Sequence, residues 1–285
     1  MPCRQHAALF LMLAGTLAMA GCQHSQTADP PVAQTAVSRG TPSAASTGAN
    51  PLEEHVATSR YRIDIGYPVL NADEAPFAAM LRRIAGAAKQ DFLRALPDPK
   101  LFPEFADRQM QLRIDFRLAA RTSDFVSVRE TGFQDTGGAH PAPIDAAIVY
   151  DAHARRTLPL DDLFAQPDAA RKSLADFARA AITRKLMAQA PKPGQGPQQA
   201  IAEWKDSAKR MIEQGTQPTS QNFANFIVRT TGNPLDPSPG LTLIFPPYQV
   251  AAYVHGTQTV FVPTEVFARY LKPQYRNAFG IPIVN

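Results

Sequence analysis

The sequence predicts an α+β fold, an antiparallel β-sheet packed with α-helices, arranged as two adjoining α/β modules over residues 55–152 and 153–285. Three observations lead there. Four segments between residues 61 and 150 alternate apolar with polar side chains or carry apolar runs of strand length. Three longer segments repeat apolar residues at spacings of three and four. Hydrophobic residues make up 45% and charged residues 19% of the 285, the balance of a chain that buries a core, so global disorder is excluded. The 26 prolines outnumber the 16 glycines and fall in loop contexts, and no internal repeat is evident. A net charge of +4 is too small for this length to mark a nucleic-acid surface.

The first element is an export signal over residues 1–21. Arg4 and His6 precede an apolar run from Ala7 to Ala20, too short to span a bilayer comfortably and ending in small residues. Met19, Ala20, Gly21 and Cys22 resemble the lipobox of bacterial lipoproteins. That resemblance implies cleavage before Cys22 and acylation of its sulfur and new amino group, by palmitate-type chains. Cleavage discards Cys3, so Cys22 is left as a single sulfur with no disulfide partner. Several acyl chains, at about 0.8 kcal/mol per buried methylene, make such attachment stable. Gln23, where aspartate would retain a lipoprotein at the inner membrane, resembles the pattern of outer-membrane sorting. The expected location is therefore a membrane-anchored lipoprotein facing the periplasm.

Residues 22–54 are rich in Ser, Thr, Ala, Gln, Pro and Gly without apolar period, and read as a lipidated tether with a root-mean-square reach of about 30 Å. The folded body is expected from His55. Tyr61, Ile63, Ile65 and Tyr67 alternate as in a half-buried strand. A helix over 74–96 follows, with Phe77, Leu81, Ile84, Ala88 and Phe92 on one face, stopped by Pro97 and Pro99. Strands around 111–121, 125–133 and 144–150 are expected to pair consecutively and antiparallel. Helices over 168–190 and 198–213 carry stripes that include Leu174, Phe177 and Ile182, then Ile201, Trp204 and Ile212. Short strands over 223–230, 241–245 and 259–262 lead to a closing helix over 264–271, capped by Thr264.

Catalytic signatures are sparse. No GxSxG or SxxK occurs, and no cysteine remains after the anchor, so acyl-transfer chemistry has no nucleophile of the usual kind. His55, His140, His153 and His255 form neither HExxH nor a paired motif, and neither metal nor cofactor is expected. A metal site built from His140, His153 and Asp145 is the weaker reading beside scattered surface histidines. Asp161 and Asp162 read as carboxylates at a helix start. Trp204 reads as core by its helical spacing. The distinctive loop is QDTGGAHP, where Gly137 and Gly138 permit positive φ, Pro141 fixes the exit, and His140 is presented near Asp135. As structure it is a wide turn; as function it is a recognition loop or, with Asp135 or Glu130, a general-base site. Tyr248 and Tyr253, in PPYQVAAYVHG, lie on a proline-bounded loop where rings can stay exposed or pack against the closing helix.

The order of these motifs is recognisable. GGAHP between strands, then YDAHARRTLPLDDLF, two helices, and LIFPPYQVAAYVHGTQTVFVPTEVFARYL resemble the bacterial domain of unknown function 3298 over about His55 to Pro273. That domain is often preceded by a companion module, domain of unknown function 4163, and occurs as the lysozyme-binding domain of RsiV-like regulators. Those regulators add a transmembrane helix and a cytoplasmic segment not seen in this sequence. The resemblance therefore implies the scaffold and a capacity to bind a lysozyme-like protein or peptidoglycan, with Asp135, Gly137, Gly138, His140, Tyr248 and Tyr253 as the binding surface. Asp135, Asp145 and Asp151 would supply the acidic patch a basic lysozyme needs. The alternative is an envelope enzyme acting on cell-wall glycan through His140.

Overall fold

Strand β4 (Phe125–Asp135) and strand β5 (Ala142–Asp151) form the spine of the computed structural model, which describes residues 53–282. The expected signal peptide, Cys22 and nearly all of the tether lie outside the described residues. Around the spine, β1 (Glu53–Ala57), β2 (Tyr61–Gly66), β3 (Met110–Arg121) and β6 (Arg156–Thr157) complete a six-stranded sheet in the order β1-β2-β3-β4-β5-β6. All pairs are antiparallel except β2 and β3, which run parallel. The reason is the twenty-residue helix α1 (Ala75–Arg94), which carries the chain back to the end from which it started. The three strands expected to pair consecutively and antiparallel, β3, β4 and β5, do so. The sheet as a whole is mixed rather than antiparallel because of β2–β3, and β1 begins at Glu53, inside the stretch assigned by composition to the tether.

Side-chain alternation separates the two faces of the sheet. Ile63, Ile65, Leu112, Ile114, Phe116, Val126, Val128 and Tyr150 pack with Phe77, Leu81, Ala85 and Phe92 of α1. Phe77 stacks on Tyr150 at 4.8 Å and Phe116 on Tyr67 at 5.6 Å. The start of α1 is fixed by buried Glu74, which receives Arg121 Nε at 2.9 Å and Nη2 at 2.6 Å from the far end of β3. A bulge between Leu118 and Ala120 brings that end around.

On the other face, Phe125 and Val149 enter a second core with helix α2 (Pro167–Met187) and a three-stranded antiparallel sheet, β7 (Phe226–Val228), β8 (Gly240–Phe245) and β9 (Gln258–Pro263). Ala170, Leu174, Ala178, Ile182 and Leu186 of α2 are buried there, whereas Phe177 of the expected stripe stays partly exposed. Helix α3 (Gln198–Gly215) contributes Ile201 and Ile212. The sheets are also joined by buried Ser127, whose Oγ accepts Val228 N–H at 3.1 Å.

The expected closing helix does not form. Residues 264–266 and 268–270 are 3-10 turns, because the backbone beyond them is used elsewhere: Ala165 N donates to Tyr270 O and Lys272 N to Leu163 O, each at 2.8–2.9 Å. An α-helix running through Leu271 would instead spend the Lys272 N–H on the Ala268 carbonyl. Helix α4 (Pro273–Arg276) follows. None of the helices among the described residues is long and apolar enough to cross a membrane.

Ser127→Ala leaves the Val228 N–H buried without a partner and is expected to cost about 1–3 kcal/mol. Urea unfolding should show a lower midpoint at unchanged slope.

Candidate functional site

The β4–β5 loop, residues 136–141, is built by the residues before β3. Asp135 accepts Arg108 Nη2 at 2.9 Å on both oxygens and the Gly137 N–H at 3.0 Å. Burial would raise its pKa, but the Gly137 N–H and the Arg108 guanidinium together hold it below the usual carboxylate range. Gly137 sits at φ +99°, and a Cβ there would lie 2.8 Å from the Phe105 ring. Glycine is therefore needed twice over, for the backbone and for the ring. Gly138, which also permits positive φ, does not adopt it. His140 is exposed, with Nδ1 3.3 Å from Pro141 O.

The β8–β9 connection, residues 246–257, is anchored at both ends. Gln249 Nε2 donates to Gly215 O at 3.0 Å and Asn222 O at 2.9 Å, while Val250 and Ala251 are buried. Gly215 lets this backbone approach α3, since a Cβ would meet Gln249 O at 1.9 Å. At the other end Thr257 donates to Asp145, which also receives both arms of Arg129 at 2.8 Å. Between the anchors Tyr248 (52% exposed), Tyr253 (46%) and Val254 (86%) face solvent. Tyr248 holds φ +72°, a costly conformation for a bulky residue, and one that its surroundings must impose.

The two loops meet. The His140 ring stacks on Tyr253 at 5.7 Å and 21°, and Tyr253 on Tyr248 at 5.4 Å and 28°. Three of the sequence candidates thus form one exposed aromatic ladder, and Gly137 and Asp135 shape the loop that carries its first ring. Trp204 is half-buried rather than core, set edge-on to His255 at 6.0 Å beside the same connection. Flat rings with apolar faces and polar edges suit a ligand that is itself apolar on one face and polar at its rim.

The other candidates are engaged separately. His153 pairs with Asp124 at 3.0 Å and His55 with Asp64 at 2.5 Å, so the histidines do not converge with Asp145. No cluster of three metal-ligating side chains occurs among the described residues. Asp161 faces Arg171 at 2.5 Å and Asp162 faces Arg156 at 2.8 Å, just before α2. Glu130 and Asp135 point to opposite faces of β4, and neither hydrogen-bonds His140. Burial raises the Glu130 carboxyl. Sequence reasoning missed Phe105 and Arg108, which reach the first loop through contacts distant in the chain and carry no local signal of that role.

Residues 161–265 carry a domain matching the family described as Protein of unknown function (DUF3298). The tyrosine loop and Trp204 fall inside that match and His140 outside it. The peptidoglycan-N-acetylmuramic acid deacetylase PdaC of Bacillus subtilis (strain 168) is 24% identical over 213 residues, 74% of this chain. The chain spans 39% of that relative's length. The crystal structure of a DUF3298 family protein from Pseudomonas aeruginosa PAO1 shares the fold with a TM-score of 0.51 at 16% identity, over 80% of this chain and 94% of that one. Another DUF3298 family member, from Bacteroides fragilis NCTC 9343, gives 0.48 at 17% identity, over 77% and 92%.

Gly137→Ala is expected to destabilise the fold by about 1–2 kcal/mol from the left-handed backbone alone, with further loss from the Phe105 overlap, measured as a lower urea midpoint. Because the native Glu130 pKa lies above its unfolded value, its contribution to stability is complete at low pH and is lost as pH rises through the native value. Glu130→Gln should therefore raise Tm at about pH 7 relative to wild type and lose that advantage at about pH 3, in paired thermal melts.

Proposed function

We propose that this chain is a lipid-anchored protein of the cell envelope whose folded body binds the glycan of peptidoglycan through the His140–Tyr253–Tyr248 ladder, without turning it over. The observation that carries this reading is the ladder itself, three exposed stacked rings on two anchored loops, one of them held at a costly φ. A fold keeps such strain where the displayed group has a use. The ladder offers its ring faces to the apolar face of a sugar ring and leaves hydroxyl and imidazole edges for its rim. Anchorage at Cys22 on a tether of some thirty residues would let the body leave the membrane and reach the wall. The named substrate of the curated relative, peptidoglycan, supports the same ligand class.

A lysozyme-like protein is the competing partner. Its recognition would draw on an acidic patch, and the three carboxylates expected to form one are already committed: Asp135 to Arg108, Asp145 to Arg129 and Thr257, and Asp151, buried, to Tyr275 at 3.0 Å. The relative's deacetylase name favours a second reading, wall-glycan chemistry at His140. In that reading His140 would need a partner group, and the carboxylates nearest in sequence are turned away from it or engaged.

Co-sedimentation of the purified protein with isolated peptidoglycan sacculi tests the proposal. Tyr253→Ala and Tyr248→Ala should each weaken binding about 3- to 10-fold, the scale of one lost aromatic contact. Tyr248→Gly should weaken binding equally while Tm stays within a few degrees of wild type, because relief of the backbone offsets the lost stacking. Unchanged sedimentation in both alanine variants overturns the site. Saturable binding to purified lysozyme without sacculus binding would transfer the function to the protein partner, and release of acetate from muropeptides, lost in His140→Ala, would establish the enzyme.

A further inference from the structure

The sheet face turned away from α1 carries charges in cross-strand rows whose order is set by the strand register. Asp64, Arg113 and Phe133 share one row, and Arg62 and Gln111 share the next with Asp135. Away from the second core each aspartate on this face already has an arginine, while Asp151, at the covered end, is buried against the Tyr275 hydroxyl. Asp64 receives Arg62 Nε at 2.7 Å and His55 Nδ1 at 2.5 Å, Asp115 receives Arg117 Nε at 2.6 Å, Asp135 receives Arg108, and Asp145 receives Arg129. Five arginines thus stand against four aspartates. Arg113 is the one over, and it forms no ion pair among the described residues.

Arg113 also has a place to bind. Together with Arg62, Asp64, Gln109, Gln111 and Phe133 it lines a shallow pocket of about 290 Å³. Gln109 is spent on Thr58 O at 2.7 Å, leaving the Gln111 amide as a second polar group near the free guanidinium. Phe133 supplies an apolar wall. We propose that this pocket is a carboxylate subsite, with the Arg113 fork taking the carboxylate on both oxygens and Phe133 taking a small apolar side chain beside it. One uncommitted cation matches a singly charged carboxylate, since a phosphate dianion would call for a second and Arg62 is held by Asp64. On the reading of the preceding subsection, on which this assignment to a wall component rests, the carboxylate belongs to a peptide stem whose glycan lies on the aromatic ladder.

Isothermal titration of the purified protein with N-acetyl-D-alanyl-D-alanine, with its C-terminal amide, and with inorganic phosphate separates the outcomes. The acid should bind and the amide should bind at least tenfold more weakly. Arg113→Gln should abolish the difference between acid and amide, Arg113→Lys should recover part of it by restoring charge without the fork, and Tyr253→Ala should leave it intact. Arg113 is exposed, so these variants fold, and an unchanged Tm confirms it. Equal binding of acid and amide, no binding of either, or tighter binding of phosphate each overturns the carboxylate subsite. Sacculus binding that persists with a silent pocket would sink the subsite alone; acid binding without sacculus binding would keep the subsite and sink the wall reading.

Discussion

Burial of both faces of the β4–β5 hairpin is the constraint on which the rest of the molecule depends. At its base, Val126, Val128 and Tyr150 look into the core under α1, and Phe125 and Val149 into the core under α2, with Ser127 bonded across to β7. A strand between two cores cannot alternate apolar with polar residues, which is why Phe125 to Val128 runs without a charge. The same hairpin changes character toward its tip. There the second sheet no longer covers it, and the face away from α1 turns to Arg129, Thr131, Phe133 and Asp135. Rigidity from the buried half is what holds His140, at the tip, in a defined place.

The ladder exists because two loops far apart in the sequence are each fixed by contacts that owe nothing to the stacked rings. The first loop is clamped by Arg108 on Asp135 and by Phe105 over Gly137. The second is held by Gln249 on the end of α3 and by Thr257 on Asp145. With the backbone held from below, Tyr248 can be kept at a left-handed φ and its ring kept in water, neither of which its own contacts would choose. The paired aspartates of the same region serve geometry first. Asp145 joins the hairpin to the tyrosine loop, and Asp135 shapes the turn.

Arrangement of charge on the open sheet face follows from the same economy. Arg62–Asp64 and Arg117–Asp115 join residues two apart on one strand, Arg129–Asp145 crosses from β4 to β5, and Arg108 reaches Asp135 from the segment before β3, so each acid is neutralised where it stands. The pairs are partly exposed, so each adds little to stability. Their larger effect is to leave Arg113 singled out in a concavity beside an aromatic ring.

Much of the architecture was legible in the residues. Alternation in Tyr61 to Tyr67, the three- and four-residue spacing of Phe77 to Phe92, and the order of strands across 110–151 reflect local geometry, which the sequence writes directly. The distinctive loops were legible too, since QDTGGAHP and PPYQVAAYVHG carry residues with strong backbone preferences. What the tertiary structure alone decided was everything set by contacts across the chain. The parallel pairing of β2 with β3 depends on where α1 returns the strand, and the segment from Thr264 to Leu271 gave up its helical pattern to pair with residues 163–165. Trp204 kept a helical spacing yet met His255 at the surface, and the Asp135, Asp145 and Asp151 carboxylates found partners up to 124 residues away. Sequence by itself determined which residues could turn, alternate or stack; only folding decided which of them would meet, because side-chain pairing depends on distances in space that no local period encodes.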